Sequence, residues 1–130
     1  MNYSALPQET LVRVIGGMLT TYYRDKHPAG GRLRAVHQLQ LSPPGSDLLV
    51  ADVAIIAPRH NGAGQILAIY EVVSAASSKD AVAKKAQRFV EYLKKFPTIP
   101  AIEFGIVAPE SREAELRATL PLVDVVTYPG

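Results

Sequence analysis

Apolar positions along this 130-residue chain recur with two different periods. From residue 7 to 26, PQETLVRVIGGMLTTYYRDK, Leu11, Ile15, Met18 and Tyr22 return every three or four residues, which is the spacing of one helical face. Gly16-Gly17 weakens the middle of that helix, since glycine loses the most backbone freedom there, and HPAGG ends it. Residues 32–42, RLRAVHQLQLS, alternate apolar and polar as a half-buried strand does. PPGSD is a turn. The stretch LLVADVAIIAPRHNGAGQILAIYEVVS, residues 48–74, predicts two further strands around a turn containing Asn and Gly. Both are nearly continuous runs of Val, Ile, Leu and Ala, the pattern of central strands covered on both faces.

A second helix is predicted over 79–96, with Val82, Ala86, Phe89, Leu93 and Phe96 as its buried stripe. Ser77 and Asp80 before it have the spacing of a capping box, and PTIP stops it. AIEFGIVAP (101–109) reads as a buried strand, SREAELRATL (111–120) as a short amphipathic helix, and VDVVTYP as a last short strand. The order α-β-β-β-α-β-α-β predicts one α/β domain over residues 1–130, with a mixed central sheet and flanking helices.

Composition narrows the chemistry. No apolar run reaches the roughly 18 residues of a membrane span, and MNYSALPQETLVRV lacks the charged-then-apolar order of a signal peptide. There are no cysteines, so disulfides, thiolate metal sites and cysteine nucleophiles are excluded, and a cytoplasmic setting is expected. The net charge of +2 says little, but its distribution says more. Residues 79–95 carry Lys79, Lys84, Lys85, Arg88, Lys94 and Lys95 against Asp80 and Glu91, whereas beyond residue 96 acids outnumber bases. A chain that is basic on one side can meet a polyanion there; an uneven but merely solvated surface is the plainer alternative.

Each of the two most hydrophobic strands carries one acid, Asp52 and Glu71. Asn61-Gly62 is the dipeptide favoured in two-residue type I′ hairpins. A reversal there pairs residues whose numbers sum to 123, which sets Asp52 opposite Glu71. Opposed residues have Cα atoms roughly 4.5–5.5 Å apart, so two carboxylates would emerge side by side among apolar neighbours. Their repulsion and lost hydration need compensation. A shared proton, a nearby cation or a hard divalent metal such as Mg²⁺ would each supply it. An ordinary ion pair of each acid with an Arg or Lys is the competing explanation.

This arrangement resembles the PD-(D/E)xK nuclease superfamily, in which an acid on one strand is followed by a turn, an acid-x-Lys strand, a helix and another strand. ADVAII stands where that family has its first acid, giving Asp52, and YEVVS where it has the second, giving Glu71. Within that superfamily the chain resembles the restriction-endonuclease-like family abundant in cyanobacteria, the Uma-two family. Glu71-Val72-Val73-Ser74, then Asp80, Lys84/Lys85 and Phe89, and the later EFGIVAP follow its pattern. The resemblance covers residues 7 to 109. It departs where the second-acid lysine should stand, because Val73 occupies that position. On the following helix Lys85 falls about 60° from the centre of the apolar stripe and can reach inward, whereas Lys84 falls on the solvent side.

The resemblance implies a restriction-endonuclease-like core and hydrolysis of phosphodiester bonds in DNA. Asp52, Glu71 and the Val72 carbonyl would hold Mg²⁺ or Mn²⁺, and Lys85 would replace the missing lysine. Lys84, Arg88, Lys95 and Arg13 are the candidates for contacts to flanking phosphates. Glu9 is the acid on the first helix that can join such a site. Cutting both strands calls for two active sites, as a homodimer provides. Two rivals stand beside this expectation: an inactive nuclease-fold protein that binds nucleic acid or a protein partner, and an unrelated α/β binding module. His37 and His60 fit an exposed strand position and a solvated turn.

Overall fold

A computed structural model describes residues 3–28, 30–41, 49–58, 64–98 and 101–130. Five strands form one mixed sheet: β1 (Arg34–Gln40), β2 (Val50–Ala57), β3 (Gln65–Val72), β4 (Glu103–Pro109) and β5 (Asp124–Tyr128). They lie side by side in chain order. β1, β2 and β3 run antiparallel, whereas β3, β4 and β5 are parallel. Three helices flank them: α1 (Gln8–Arg24), α2 (Lys79–Lys95) and α3 (Glu113–Thr119). The element order differs from the expected one by three 3₁₀ turns, Tyr3–Ala5, Gly30–Arg32 and Glu110–Arg112. Parallel strands cannot be joined by tight hairpins, and α2 and α3 supply the two crossovers. No helix among the described residues is long and apolar enough to cross a membrane.

Side-chain alternation sorts the strand residues into two cores. Val53 and Ile55 of β2 and Tyr70 and Val72 of β3 lie under α1. Ala54, Ile56 and Ile69 lie on the opposite face under Phe89 of α2, which is fully buried. Ala86 of α2 and Leu116 of α3 continue that layer over Ile106, Ala108 and Val125. Each such large side chain removed from water contributes about 1.5–3 kcal/mol. The middle of the sheet is therefore covered on both sides, as its unbroken apolar runs require.

The apolar stripe of α1 is not the expected one. Leu11, Ile15, Leu19 and Tyr23, together with Val12, are buried, whereas Met18 and Tyr22 are 44% and 52% exposed. Steps of four residues turn the contact line by about 40° each. The line therefore slants around the helix, and Met18 and Tyr22 fall beside it. Gly16 has a packing reason: an added Cβ would sit 2.7 Å from Nε2 of His37. The bare position leaves room for the exposed His37 ring between α1 and β1. In α2, Phe96 closes the helix at its C-cap and is exposed, so the buried stripe ends earlier than expected.

Candidate active site

Asp52 and Glu71 face each other across the β2–β3 pair, but the register has two parts. Val53 pairs with Tyr70, and the two acids come next beyond that pair. Nearer the turn, Ala57 pairs with Gln65 and Ile56 with Ile66, one residue short of the expected alignment. A bulge between Ile55 and Ile56 absorbs the difference, since it sets two residues on one strand against one on the other. Asn61-Gly62 and His60, on which the expected register was centred, lie outside the described residues. Both acids point to the face covered by α2, since Ala54 and Ile69, two residues from each, pack there.

The two carboxylates are held differently. Beyond Val53–Tyr70 the ladder stops, and the Val72 N–H donates to Asp52 Oδ2 at 2.9 Å. Gln38 Nε2 donates to Asp52 Oδ1 at 3.3 Å. Gln38 has φ 57° within β1, a left-handed conformation that side chains other than glycine adopt at a cost. Glu71 is only 7% exposed. Its Oε2 accepts from the Lys85 ammonium at 2.8 Å, and Oε1 is buried without a hydrogen-bond partner among the described residues. Burial, and after it the negative charge of Asp52, push the Glu71 carboxyl up to about 8 against the opposing pull of Lys85.

A pocket of about 330 Å³ opens on this pair, and Gln8, Ser77, Ser78 and Lys85 are among its walls. Ser78 caps α2 by accepting from the Ala81 N–H at 3.4 Å, so the first turn of that helix borders the acids. The cap is one residue later than the Ser77–Asp80 box predicted. Ser77 is engaged instead with the strand end, where its Oγ accepts from the Ser74 N–H at 3.0 Å. Arg112 braces the same loop by donating to the carbonyls of Ser74 and Ser77. The buried Tyr128 hydroxyl donates to the Val73 carbonyl at 2.7 Å. The strand-to-helix connection carrying the second acid is thus tied down from β5 and from the turn before α3.

No family model, curated protein or solved structure matches this chain. Its chemistry therefore has to be read from the site.

A hard divalent cation fits the donors present. Glu71 Oε1 is an orphaned buried oxygen and Asp52 Oδ1 has one long hydrogen bond. Among the described residues no group of three or more His, Cys, Asp or Glu side chains converges. The pocket therefore has two carboxylates, Asp52 and Glu71, as its acidic donors among the described residues; a Mg²⁺ ion held there would need waters for most of its ligands. The Val72 carbonyl, expected as a third ligand, already accepts from Gln8 Nε2 at 3.2 Å, though a carbonyl oxygen has two lone pairs.

The remaining expected residues are spread out. Lys84, Arg88 and Lys95 are exposed on α2, where Glu91 shares their side of the helix. Arg13 is exposed on α1, which covers the other face of the sheet, and pairs with Glu9 at 3.4 Å. Glu9 therefore points to solvent rather than to the acids. Gln8 beside it reaches the site. Gln8 and Gln38 were missed, because a neutral amide at a helix start or on an edge strand leaves no periodic or charge signal.

Proposed function

We propose that this chain is a Mg²⁺- or Mn²⁺-dependent endonuclease with a restriction-endonuclease-like core of the PD-(D/E)xK type, hydrolysing phosphodiester bonds in DNA. One observation carries the reading: Asp52, Glu71 and Lys85 converge at a pocket while a buried carboxylate oxygen of Glu71 lacks a partner. The ion pair with Lys85 alone leaves that oxygen unmet, at a cost of about 1–3 kcal/mol, which a bound cation or a proton shared with Asp52 would offset. The strand carrying the first acid, the strand carrying the second, α2 and the parallel strand β4 follow one another as in that superfamily.

Asp52 and Glu71 would hold the ion, with the Val72 carbonyl as a further donor. A divalent ion bound there supplies a more acidic water and neutralises charge on the scissile phosphate. Lys85 opposes the upward push on the Glu71 carboxyl and would present the ammonium that orients the attacking water in place of the lysine absent at Val73. The N-terminal turn of α2 offers N–H groups and a positive dipole end to a phosphate at the pocket mouth. Lys84, Arg88 and Lys95 would meet flanking phosphates, a contribution that weakens with salt, whereas Arg13, paired with Glu9 on the other face, falls outside that set. Cutting both strands in one event would bring two copies together as a homodimer.

Nicking of supercoiled plasmid tests the proposal. Cleavage that requires Mg²⁺ or Mn²⁺ and disappears in Asp52→Ala and Glu71→Gln supports it. The direct Lys85–Glu71 pair favours one second reading, an inactive descendant that binds nucleic acid or a protein partner, since it already offsets one charge. DNA binding without cleavage at any metal concentration would select that reading. Neither cleavage nor binding would remove DNA from both.

A further inference from the structure

A larger cavity, about 900 Å³, lies on the other face of the sheet from the acid pair, beside α1 and the starts of β4 and β5. We propose that it binds an organic cation, an ammonium group carried on an aliphatic stem. This assignment is independent of the nuclease reading.

The cavity lies beside the strands on which α1 mainly packs, β1, β2 and β3, next to the starts of β4 and β5, whereas Val107 and Tyr128 further along are buried in the α1-side core. Its wall is aromatic. Tyr70 pairs with Gly105, and Gly105 with Asp124, so the three positions form one row across the sheet. A Cβ at Gly105 would meet the Tyr70 ring at 2.6 Å; only glycine lets that ring lie across β4. Tyr22 and Tyr23 of α1 stand edge-to-face beside each other, 5.3 Å between ring centroids, and Tyr23 leans toward Tyr70. Met18, Tyr22 and Val126, three large apolar side chains exposed in this fold, all border this one space. A volume near 900 Å³ with mainly apolar walls is within the range of ligand sites.

The charges select the ligand. Glu103 and Asp124 enter the cavity from β4 and β5, and neither has an ion-pair partner among the described residues. Glu103 accepts from the Tyr23 hydroxyl at 2.7 Å. The two cationic chains at the rim are occupied: Arg117 pairs with Glu113 and donates to the Val125 carbonyl, and Lys26 is bound to Tyr22. His27 also lines the space. Glu103 and Asp124 thus share the lining with Lys26 and Arg117, and Glu113, outside the lining, already offsets Arg117.

Lys26 indicates the chemistry directly. Its ammonium sits 3.9 Å from the centroid of the Tyr22 ring, so this wall already holds an alkylammonium ion in a cation–π contact. A second such ion, placed between Tyr70 and the Glu103 and Asp124 carboxylates, would meet an aromatic face, opposite charge and an apolar channel for its stem. The tyrosine hydroxyls remain neutral there, because burial raises the pKa of both Tyr23 and Tyr70, and they add no repelling or competing charge.

Titration of spermidine, and separately of a lysine-rich peptide, tests the site by tyrosine fluorescence and calorimetry. The chain has six tyrosines and no tryptophan, so rings of this cavity contribute strongly to the signal. Saturable binding of one ligand per chain is expected, weakened at least about tenfold in Glu103→Gln/Asp124→Asn and in Tyr22→Ala, and unchanged in Asp52→Asn. The glutamine and asparagine keep the acceptors, so the double variant tests charge rather than folding. Preference for spermidine would point to a free amine, and preference for the peptide to a lysine side chain of a partner. Absence of saturable binding by both probes, equal affinity in the double variant, or loss of binding in Asp52→Asn instead would overturn the proposal.

Discussion

The two faces of β3 hold buried polar groups in opposite ways. On the α1 face, the Tyr23 hydroxyl donates to Glu103 at 2.7 Å and stands 2.8 Å from the Tyr70 hydroxyl. Tyr23 has a single proton and gives it to the carboxylate, so Tyr70 must donate to Tyr23. Every group in that chain has a partner. On the α2 face, one residue along, Glu71 is more deeply buried than Glu103, faces a second carboxylate, and leaves Oε1 unmatched among the described residues. The first arrangement is what a stable core does with polar atoms. The second is costly to the fold by itself and would become favourable if a cation entered, as proposed. The difference separates a structural network from a candidate reactive one within eight residues of the same strand.

Removing each arrangement should have effects of different kinds. Asp52→Ala or Glu71→Gln is expected to lower metal-dependent nicking at least about a thousandfold, roughly 4 kcal/mol of transition-state stabilisation, with circular dichroism unchanged. Tyr23→Phe should leave nicking intact.

The next effect is one of pH. Unfolded glutamate releases its proton near 4.5 and folded Glu71 near 8. Between those values the folded chain keeps a proton that the unfolded chain has lost. The corresponding stability, fully present below about 4.5, is lost as pH climbs through about 8. Urea unfolding should register a fall on the order of 3–5 kcal/mol across that window. Glu71→Gln should flatten it, and Mn²⁺ should restore stability at the alkaline end of the wild type.

Lys85→Met strips Glu71 of its one cationic neighbour. Nicking should fall tens-fold, and Lys85→Arg should recover part of it. The cost in stability should stay near 1–3 kcal/mol, because Glu71 can take up a proton instead of remaining an unpaired charge. Urea curves at pH 6 and 9 would check this, with the larger loss at pH 9.

Tyr23→Phe should cost about 1–2 kcal/mol by leaving the Tyr70 hydroxyl without its acceptor. Smallest of all, Gln38→Gly should relieve the left-handed φ and offset the lost bond to Asp52, leaving stability within about 1 kcal/mol of the wild type. If Gln38 serves to aim Asp52, nicking falls all the same.

How far the chain could be read before its structure depends on what each residue's position signals. Long apolar runs marked β2 and β3 as covered strands, and the period of Ala86 and Phe89 marked the buried side of α2. Those signals are repeated over many residues. Lys85 was traceable for a related reason, since its angle from that stripe follows from helical geometry alone. The facing of Asp52 and Glu71 was legible, but the route to it was not: the bulge at Ile55/Ile56 has no sequence mark. Choices between neighbours were also hidden. Met18 against Leu19, Tyr22 against Tyr23, and Ser77 against Ser78 differ by one residue with similar chemistry, and only packing across the sheet decides between them. Gln8 and Gln38 act through single hydrogen bonds to distant strands, which nothing local encodes.

Calorimetric titration of Mn²⁺ into the metal-free chain near pH 7 addresses the carboxylate pair most directly. The expected result is one ion per chain, bound with release of most of a proton from Glu71 and lost in both Asp52→Asn and Glu71→Gln. No binding at millimolar Mn²⁺, or equal binding in the two variants, would contradict a cation seat at Asp52 and Glu71.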